Sequence, residues 1–419
     1  MRNISSNNIL LEILRQEKCA NYILELIPHM PYNEKLKSFS DYTPAKKTFS
    51  GIEGKHPSET VSKTNKALLR ESTIIAAKQT VFQKKLPYIH LAYFPAGYSN
   101  VCTFRVDCDK SERSTFFNVV DHASKNDFPM TWFIEVGAQE SFLKDIADLR
   151  SFGHDVQLHC YQHITYDNYI DNERNIQKGK GLMESAGIPI TGFASPFGKW
   201  NPFLNQVLEE MKFAYSSEFA MGYDDLPFFP VFNNTISSVL QIPVHPICIG
   251  SLRDMLYPKD EMIEYFDRLI KMKFERNSPI MLYGHPRNEI DRFPEVTDFI
   301  LSSMKNLPGI WLTTYTGFAE WWKKRLMADY SIHIDNESIT INTDNTDERL
   351  QLRIERRDFT EAYLPLLPSV NPFSDINWLK KEHRKSAPTI EIETLSPPYS
   401  GNLKKHLISY FRQRKIRTY

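Results

Sequence analysis

The sequence predicts an α/β fold made of a parallel, barrel-like domain, with a helical extension before it and a small β module after it. Apolar strand-like runs alternate with helix-like segments from Val101 onward, which is typical of a parallel sheet with crossover helices. Near the C-terminus, apolar and polar residues alternate at period two between Asn/Asp turns, which indicates antiparallel strands. We therefore expect an N-terminal extension, helical with a polar linker, over residues 1–95, a barrel over 96–328, and a small β module with a basic C-terminal tail over 329–419.

The alternating pattern defines the elements of the barrel. Strands are expected at 101–106, 130–136, 155–159, 190–194, 239–244, 279–283 and 310–314. Helices are expected at 112–124, 139–150, 172–186, 202–211, 260–274, 296–306 and 318–326. Because catalytic groups in such barrels lie at the carboxyl ends of the strands, the polar residues after each strand are the candidates for function.

Segments outside the barrel carry weaker patterns. In the extension, the sequence predicts one helix over 9–27, a polar loop or linker over 33–66 and a helix over 59–82. In the module, strands are expected at 331–334, 338–343 and 350–355, followed by a mostly irregular, Pro-rich stretch over 365–399.

The basic tail, residues 403–419, has apolar side chains at helical spacing, surrounded by lysines and arginines and without an acid. A basic amphipathic helix can lie on anionic lipid, so a peripheral membrane contact through this tail is one expectation. Packing of the same apolar stripe against the protein's own barrel is the other.

Composition excludes some functional classes. The 419 residues carry 51 Lys+Arg and 51 Asp+Glu, and this zero net charge argues against a nucleic-acid binder. The five cysteines are scattered without a C-x-x-C pair, which favours a reducing compartment over a disulfide framework. Because neither a signal-peptide pattern nor an apolar run of about 18 residues is present, we expect a cytoplasmic protein, which the tail would hold at the inner face of the membrane.

Two carboxylates end the first expected strand. Asp107 and Asp109 lie two residues apart and therefore share one face of the strand. Two carboxylates at one place repel each other unless a cation or a shared proton lies between them. Alternatively, both could act as caps of the helix that follows.

Histidines follow two other strands. His159 and His163 form an H-x-x-x-H pair, a spacing that places two imidazoles one helical turn apart on one face, as a divalent ion would require. Cys160, inside the pair, would suit a closed structural zinc site, although no second cysteine lies nearby in the sequence. His285 stands on a Gly-His-Pro turn, where it would reach the barrel mouth or serve as a capping or core residue.

The joint occurrence of these residues at strand ends favours a metal site over the separate structural roles. Two histidines and one carboxylate make an open metal site with room for water. The remaining carboxylate can then be a base and the remaining histidine an acid.

The chain also resembles the polysaccharide deacetylase (NodB-type) family, carbohydrate esterase family four, over roughly 101–325. Residues 153–163, GHDVQLHCYQH, are similar to its second motif, residues 194–198, ASPFG, to its third, R-x-P-x-G, and residues 280–285, IMLYGH, to its fifth. The first motif is normally two adjacent aspartates. Here it has the D-x-D form of the R-I-D-V-D strand in the lipid-linked aminoarabinose deformylase branch.

This resemblance implies a distorted (β/α) barrel of about seven strands and metal-assisted hydrolysis of an N-acyl group on an amino sugar. It implies that Asp109, His159 and His163 hold a divalent metal, that Asp107 is the general base and that His285 is the general acid. Zinc is the expected ion, with nickel, cobalt or iron as alternatives.

Two departures from the family pattern concern the residues that support this chemistry. Ala194 replaces the arginine that normally braces the base. Because Arg105 lies two residues before Asp107 on the same strand, we expect its guanidinium to brace Asp107 instead, although it could pair with another carboxylate and only stabilise the barrel. The carboxylate that orients the acid histidine is not obvious, and Glu218 is the first candidate, ahead of the Asp224-Asp225 pair.

The expected substrate contacts are Pro196, Phe197, Gly198, Trp200 and His245. Aromatic faces in this region suit stacking on sugar rings, and apolar rims also suit a lipid carrier. The expected substrate is an N-acylated sugar, most simply N-acetylated, in a nucleotide-linked or lipid-linked precursor. The alternatives are a deformylase of a lipid-linked amino sugar, which the D-x-D motif favours, and a non-catalytic glycan-binding member, which Ala194 suggests.

Overall fold

The computed structural model describes residues 9–26, 42–52, 55–232 and 235–380. Its helices are α1 Ile9–Gln16, α2 Asn21–Glu25, α3 Lys66–Gln83, α4 Arg113–Lys125, α5 Val136–Gln139, α6 Leu143–Ala147, α7 Tyr169–Ser185, α8 Pro202–Glu210, α9 Ile249–Asp254, α10 Lys259–Glu275, α11 Pro294–Lys305 and α12 Tyr315–Met327. Its strands before the C-terminal region are β1 Pro44–Thr48, β2 Ser58–Ser62, β3 Tyr88–Leu91, β4 Asn100–Cys108, β5 Met130–Glu135, β6 Asp155–Cys160, β7 Gly192–Phe193, β8 Tyr215–Ser216, β9 Val231–Phe232, β10 Thr235–Ile236, β11 Leu240–Gln241, β12 Ile280–Gly284 and β13 Ile310–Leu312. The C-terminal strands are β14 Ser331–Ile334, β15 Ser338–Asn342, β16 Gln351–Glu355, β17 Thr360–Pro365, β18 Ser369–Pro372 and β19 Leu379–Lys380.

A curled parallel sheet forms the centre of the fold and confirms the distorted (β/α) barrel. Its strand order is β11-β8-β7-β6-β5-β4-β12, and β13 pairs with the N-terminal part of β4. Every described pairing in this sheet is parallel, so the carboxyl ends of its strands open at one edge. Helices α4, α7, α8, α10, α11 and α12 alternate with the strands as the sequence predicts.

Alternation along β4 separates the core from the site. Cys102, Phe104 and Val106 lie in an outer core with buried residues of the surrounding helices, as the sequence predicts. The intervening side chains, Arg105 and Asp107, are buried on the opposite face. One strand therefore contributes both apolar packing and the charged groups of the interior.

The segment between β5 and β6 differs from the sequence prediction. One helix over 139–150 is wrong, because the structure has short helices, α5 and α6, joined by 3-10 turns. Gly153 ends the last of these turns with a left-handed backbone, φ 80°, a conformation that glycine adopts without steric cost.

The N-terminal extension also differs from its prediction. The single helix over 9–27 is wrong, since Lys18, with φ 54°, separates α1 from α2. The polar stretch expected as a linker contains the antiparallel β1–β2 hairpin. The following helix starts only at Lys66, where the Asn65 side chain accepts a hydrogen bond from Leu68 N at 3.2 Å.

The extension and the C-terminal module form one sheet. Strand β3, within predicted residues 1–95, pairs antiparallel with β16 of the module, and the sheet continues in the order β19-β17-β16-β3. A second sheet of the module has the order β14-β15-β18. The three predicted module strands are confirmed, whereas the stretch expected to be irregular contains β18 and β19.

Two expectations about membranes follow from the sequence, one for the basic tail and one for a membrane-spanning helix. The basic tail, 403–419, lies outside the described residues. Among the residues that the structure describes, no helix is both long enough and apolar enough to cross a membrane.

Candidate active site

The three predicted metal ligands meet at the carboxyl edge of the barrel. His159 Nε2 lies 3.1 Å from Asp109 Oδ1, and His163 Nε2 lies 3.0 Å from Asp109 Oδ2. Their potential ligand atoms all lie within 4.8 Å of one another. The carboxylate therefore lies between two imidazoles, one from β6 and one from the loop that follows it.

Two strands and one loop, and not a helix, bring these three side chains together. Asp109 follows the last residue of β4, and His159 is the second-last residue of β6. His163 lies in the loop after β6, which turns back so that the two imidazole ring centres are 5.0 Å apart. The expectation of one helical turn between the histidines is wrong in its geometry, although the two side chains do meet.

The donor atoms fit a bound divalent ion. His159 Nδ1 donates to the backbone oxygen of Ala194 at 2.7 Å, because a carbonyl only accepts, so Nε2 carries the lone pair whenever the ring is neutral. His159 Nε2 and Asp109 Oδ1 are both buried, yet within the described ranges neither is aligned in a hydrogen bond, despite their 3.1 Å separation. Burial disfavours the ionised form of Asp109, but the neighbouring imidazoles of His159, His163 and His285 outweigh burial and hold the Asp109 pKa well below its usual range. Two imidazoles and a carboxylate are ligands that zinc accepts.

Arg105 contacts Asp107 as the strand geometry predicts. Its Nη2 lies 3.0 Å from Asp107 Oδ2, and its Nη1 donates to the backbone oxygen of Ser217 at 2.9 Å. The guanidinium is fully buried and lies within 6 Å of the ring centres of Phe133, Tyr283 and Tyr315. Burial disfavours its charge, but several neighbouring groups outweigh burial, with Asp107 the largest contributor, so the Arg105 pKa is raised.

His285 lies next to this cluster and has a carboxylate partner that the sequence did not reveal. Its Nδ1 is 2.6 Å from Glu289 Oε1, and its Nε2 is 3.8 Å from Asp109 Oδ2. Burial opposes protonation of His285, but the charges of Glu289 and Asp109 hold its pKa well above the usual value. Glu289 follows His285 by four residues across a wide turn, Pro286–Ile290, and the presence of a carboxylate so soon after the histidine is the sequence signal for it.

Glu218, predicted to orient the acid histidine, lies elsewhere. Its Oε1 accepts hydrogen bonds from Ser216 Oγ at 2.5 Å and from Ser195 N at 3.2 Å. Burial raises the Glu218 pKa to about 7, against the hydrogen bond from Ser216 and the charge of Arg105. The carboxylate hydrogen-bonded to His285 is thus Glu289, and Glu218 supports the loop after β7. Of the Asp224-Asp225 pair, Asp224 pairs with His245 and Lys273, and Asp225 pairs with Arg70.

The loop at 195–198 places one expected substrate residue at the mouth of the site. The Phe197 side chain is 61% exposed, and its ring centre lies 4.8 Å from that of His163. Phe197 has φ 59°, which is unfavourable for a bulky residue, and it is followed by Gly198 with φ 56°. Pro196 and Gly198 are buried, and a Cβ at Gly198 would collide with the ring of Phe219.

The other two expected substrate residues are buried among protein partners. His245 Nδ1 lies 3.0 Å from Asp224 Oδ2, and its Nε2 lies 3.1 Å from Tyr265 Oη. Both ring nitrogens are therefore used, which removes the basis for a direct contact with substrate. The Trp200 ring packs between Tyr42 and Phe232.

Residues 103–216 match the family model described as polysaccharide deacetylase. No curated protein matches this chain. Among solved structures, the chain is similar to a probable polysaccharide deacetylase from Pseudomonas aeruginosa PAO1, with 15% identity and a TM-score of 0.47 over 55% of this chain and 93% of that one. It is also similar to a putative polysaccharide deacetylase from Mycobacterium smegmatis, with 14% identity and a TM-score of 0.48 over 59% and 98% of the two chains. Puue allantoinase shows 16% identity and a TM-score of 0.48 over 55% and 93%.

Proposed function

We propose that the protein, whose residues 103–216 match the polysaccharide deacetylase family model, removes an N-acyl group, most simply N-acetyl, from an amino sugar in a glycan or glycolipid precursor. The observation that carries the proposal is the meeting of Asp109, His159 and His163, with Asp107 and His285 beside them. These are the groups that hydrolysis of an amide needs, namely a cation site, a base and an acid.

Asp109, His159 and His163 would hold a divalent metal, for which zinc suits the ligands best. When bound, the ion supplies a positive charge that polarises the acyl carbonyl and makes water more acidic. The proton on His159 Nδ1, fixed by the Ala194 carbonyl, keeps Nε2 available to the ion.

The remaining residues would move protons. Asp107, held by Arg105, would take a proton from the attacking water. As the bond between the acyl carbon and the sugar nitrogen breaks, His285 would give a proton to that nitrogen, so that a carboxylate and a free amino sugar leave. The charge of Glu289 on Nδ1 keeps His285 protonated for this step.

Phe197 is the residue best placed to contact the sugar. Its exposed ring lies beside a metal ligand, and the chain holds it there in a left-handed backbone conformation. Strain of this kind is tolerated where a side chain serves a function. An aromatic face at the mouth suits stacking on a sugar ring.

A deformylase is the second candidate, because Arg105, Asp107 and Asp109 reproduce the R-x-D-x-D strand of that branch and Arg105 contacts the base. The same contact weakens the case for a non-catalytic member. That case rested on Ala194, and here another arginine pairs with the base.

Release of acetate and formate from a panel of sugars tests the proposal. The panel contains N-acetylated and N-formylated amino sugars in free, nucleotide-linked and lipid-linked form. We expect the unaltered protein to release acetate. Asp107→Asn should lower the rate of release by a factor of about 10²–10⁴ and keep its metal. Asp121→Asn, at an exposed position of α4, is the matched control. Formate as the only product would favour the deformylase, and metal-loaded protein inert on the whole panel would overturn the hydrolase.

A further inference from the structure

A second group of potential metal ligands lies on the far side of the His285 ring. Cys248 Sγ, His285 Nδ1 and Glu289 Oε1 lie within 4.8 Å of one another. Glu289 Oε1 is 2.6 Å from His285 Nδ1 and 3.5 Å from Cys248 Sγ. Among the residues that the structure describes, this is one of two such groups, and the other is the candidate metal site above.

Separate segments of the chain bring these three groups together. Cys248 stands at the N-terminus of α9, whereas His285 and Glu289 belong to the turn after β12. A Cβ at Gly250 would lie 2.1 Å from Glu289 Oε1, so the carboxylate can reach the cysteine only because residue 250 lacks a side chain. Cys248 and Glu289 are buried, and His285 is partly exposed.

We propose that Cys248, His285 and Glu289 form a second, inhibitory site for a divalent metal of the zinc class, a proposal that rests on the proposed function of His285 as general acid. Thiolate, imidazole and carboxylate are all zinc ligands. Binding would release the thiol proton of Cys248 and the Nδ1 proton of His285 to solvent, with no oxidation or reduction.

The ring of His285 links the two sites. Its Nδ1 faces Glu289, while its Nε2 is 3.8 Å from Asp109 Oδ2. An ion on Nδ1 would displace the hydrogen bond to Glu289 and prevent formation of the doubly protonated imidazolium. The remaining proton on Nε2 would then be held too tightly for efficient transfer to a leaving amine. One equivalent of metal would therefore activate the protein and excess metal would inhibit it.

Cobalt(II) provides a test of the ligands that does not depend on catalysis. The protein is freed of metal by a chelator and titrated with cobalt(II), while the thiolate-to-cobalt charge-transfer absorption is followed in the near ultraviolet. We expect two equivalents bound per chain and thiolate absorption from only one of them. Cys248→Ser should abolish that absorption and leave one equivalent bound. If the unaltered protein shows no thiolate absorption at saturating cobalt, the proposed second site is refuted, and no variant is needed for that conclusion.

Matched variants and an activity measurement complete the test. Cys19→Ser removes another buried thiol, one that lies 3.2 Å from Tyr88 Oη, and should keep the absorption. If Cys248→Ser folds poorly, Glu289→Gln should also lower the second equivalent. Acyl release should fall as zinc rises beyond one equivalent, and Cys248→Ser should need at least about tenfold more zinc for the same fractional loss. Thiolate absorption without zinc inhibition would overturn the inhibitory role alone, whereas absorption in a protein without any acyl release would overturn the proposed function and leave the metal site standing.

Discussion

At the scale of single residues, Arg105 shows how the chain compensates for Ala194. The guanidinium contacts Asp107 with one arm and the Ser217 carbonyl with the other, so its position is fixed from two sides. Arg105→Lys keeps the charge but cannot reach both partners from one planar group. We expect the variant to fold and bind metal with kcat reduced at least about tenfold, measured by acyl release and metal analysis.

The same substitution at a surface arginine controls for the loss of a guanidinium. Arg113 pairs with Asp145 at 2.9 Å on the exposed side of α4, and Arg113→Lys should keep full activity. Full activity and an unchanged pH profile in Arg105→Lys would show that the pairing only stabilises the barrel.

The metal ligands give a second prediction at this scale. A site with three protein ligands has no spare donor, so His163→Ala should lower metal content sharply. Metal bound per chain is measured on the purified variant after dialysis. His333→Ala, which removes an exposed histidine of the C-terminal module, should keep its metal. Full occupancy in His163→Ala would refute the ligand assignment.

The pair of His285 and Glu289 gives a prediction about pH. The charge of Glu289 raises the pKa of His285, so the protonated acid persists to higher pH than an ordinary histidine would allow. Glu289→Gln removes that charge, the His285 pKa falls, and protonated His285 is lost earlier as pH rises. We expect the alkaline limb of the kcat/KM profile to move to lower pH. A limb at the same pH as in the unaltered protein would assign it to another group.

At the scale of elements, strands and helices of the barrel were predictable because their periodicity is local. The strands carrying Asp107 and His159 were predicted to within two residues at either end. Glu289 was missed because a wide turn, and not a periodic element, brings it back to His285. The partners of His245, which are Asp224 and Tyr265, could not be predicted because they come from distant segments whose packing no local pattern reveals.

Arg325 of helix α12 connects the N-terminal extension to the barrel by hydrogen bonds. This buried guanidinium donates to the backbone oxygens of Gln16, Glu17, Leu91 and Ala92 at 2.6–3.1 Å. Arg325→Leu would leave several buried carbonyl oxygens without a donor, each costing about 1–3 kcal/mol. We expect the free energy of unfolding to fall by roughly 2–5 kcal/mol, measured by urea denaturation.

An exposed arginine of the C-terminal module provides the control for replacing an arginine by leucine. Arg357 lies on the surface between β16 and β17, and Arg357→Leu should change the free energy of unfolding by less than about 0.5 kcal/mol. If both variants were equally stable, the bonds from Arg325 would contribute nothing net to the attachment of the extension.

At the scale of the whole molecule, one core joins regions that the sequence assigned to three parts. Buried residues of α1, α3, β3 and α12 pack with those of β14, β15 and β16, and the same cluster includes interior residues of the barrel such as Phe133 and Tyr215. The sequence patterns did not predict this shared core, because strand β3 is only four residues long and its partner, β16, lies more than 250 residues away. Pairing at that distance leaves no periodic signal along the chain.

The shared core predicts that the module is required for the stability of the barrel. A chain ending at Ala328 would lose β16, leave the hydrogen-bonding edge of β3 open and uncover Ile89 and Leu91, which are fully buried in the intact protein. Exposed apolar residues on an unpaired strand edge favour aggregation. We expect this truncated chain to elute as aggregate in size-exclusion chromatography, or to unfold at a lower Tm than a chain ending at Lys380, which keeps every described strand. Equal Tm values for the two truncated chains would show that the barrel is stable without the module and that the β3–β16 pairing is incidental to it.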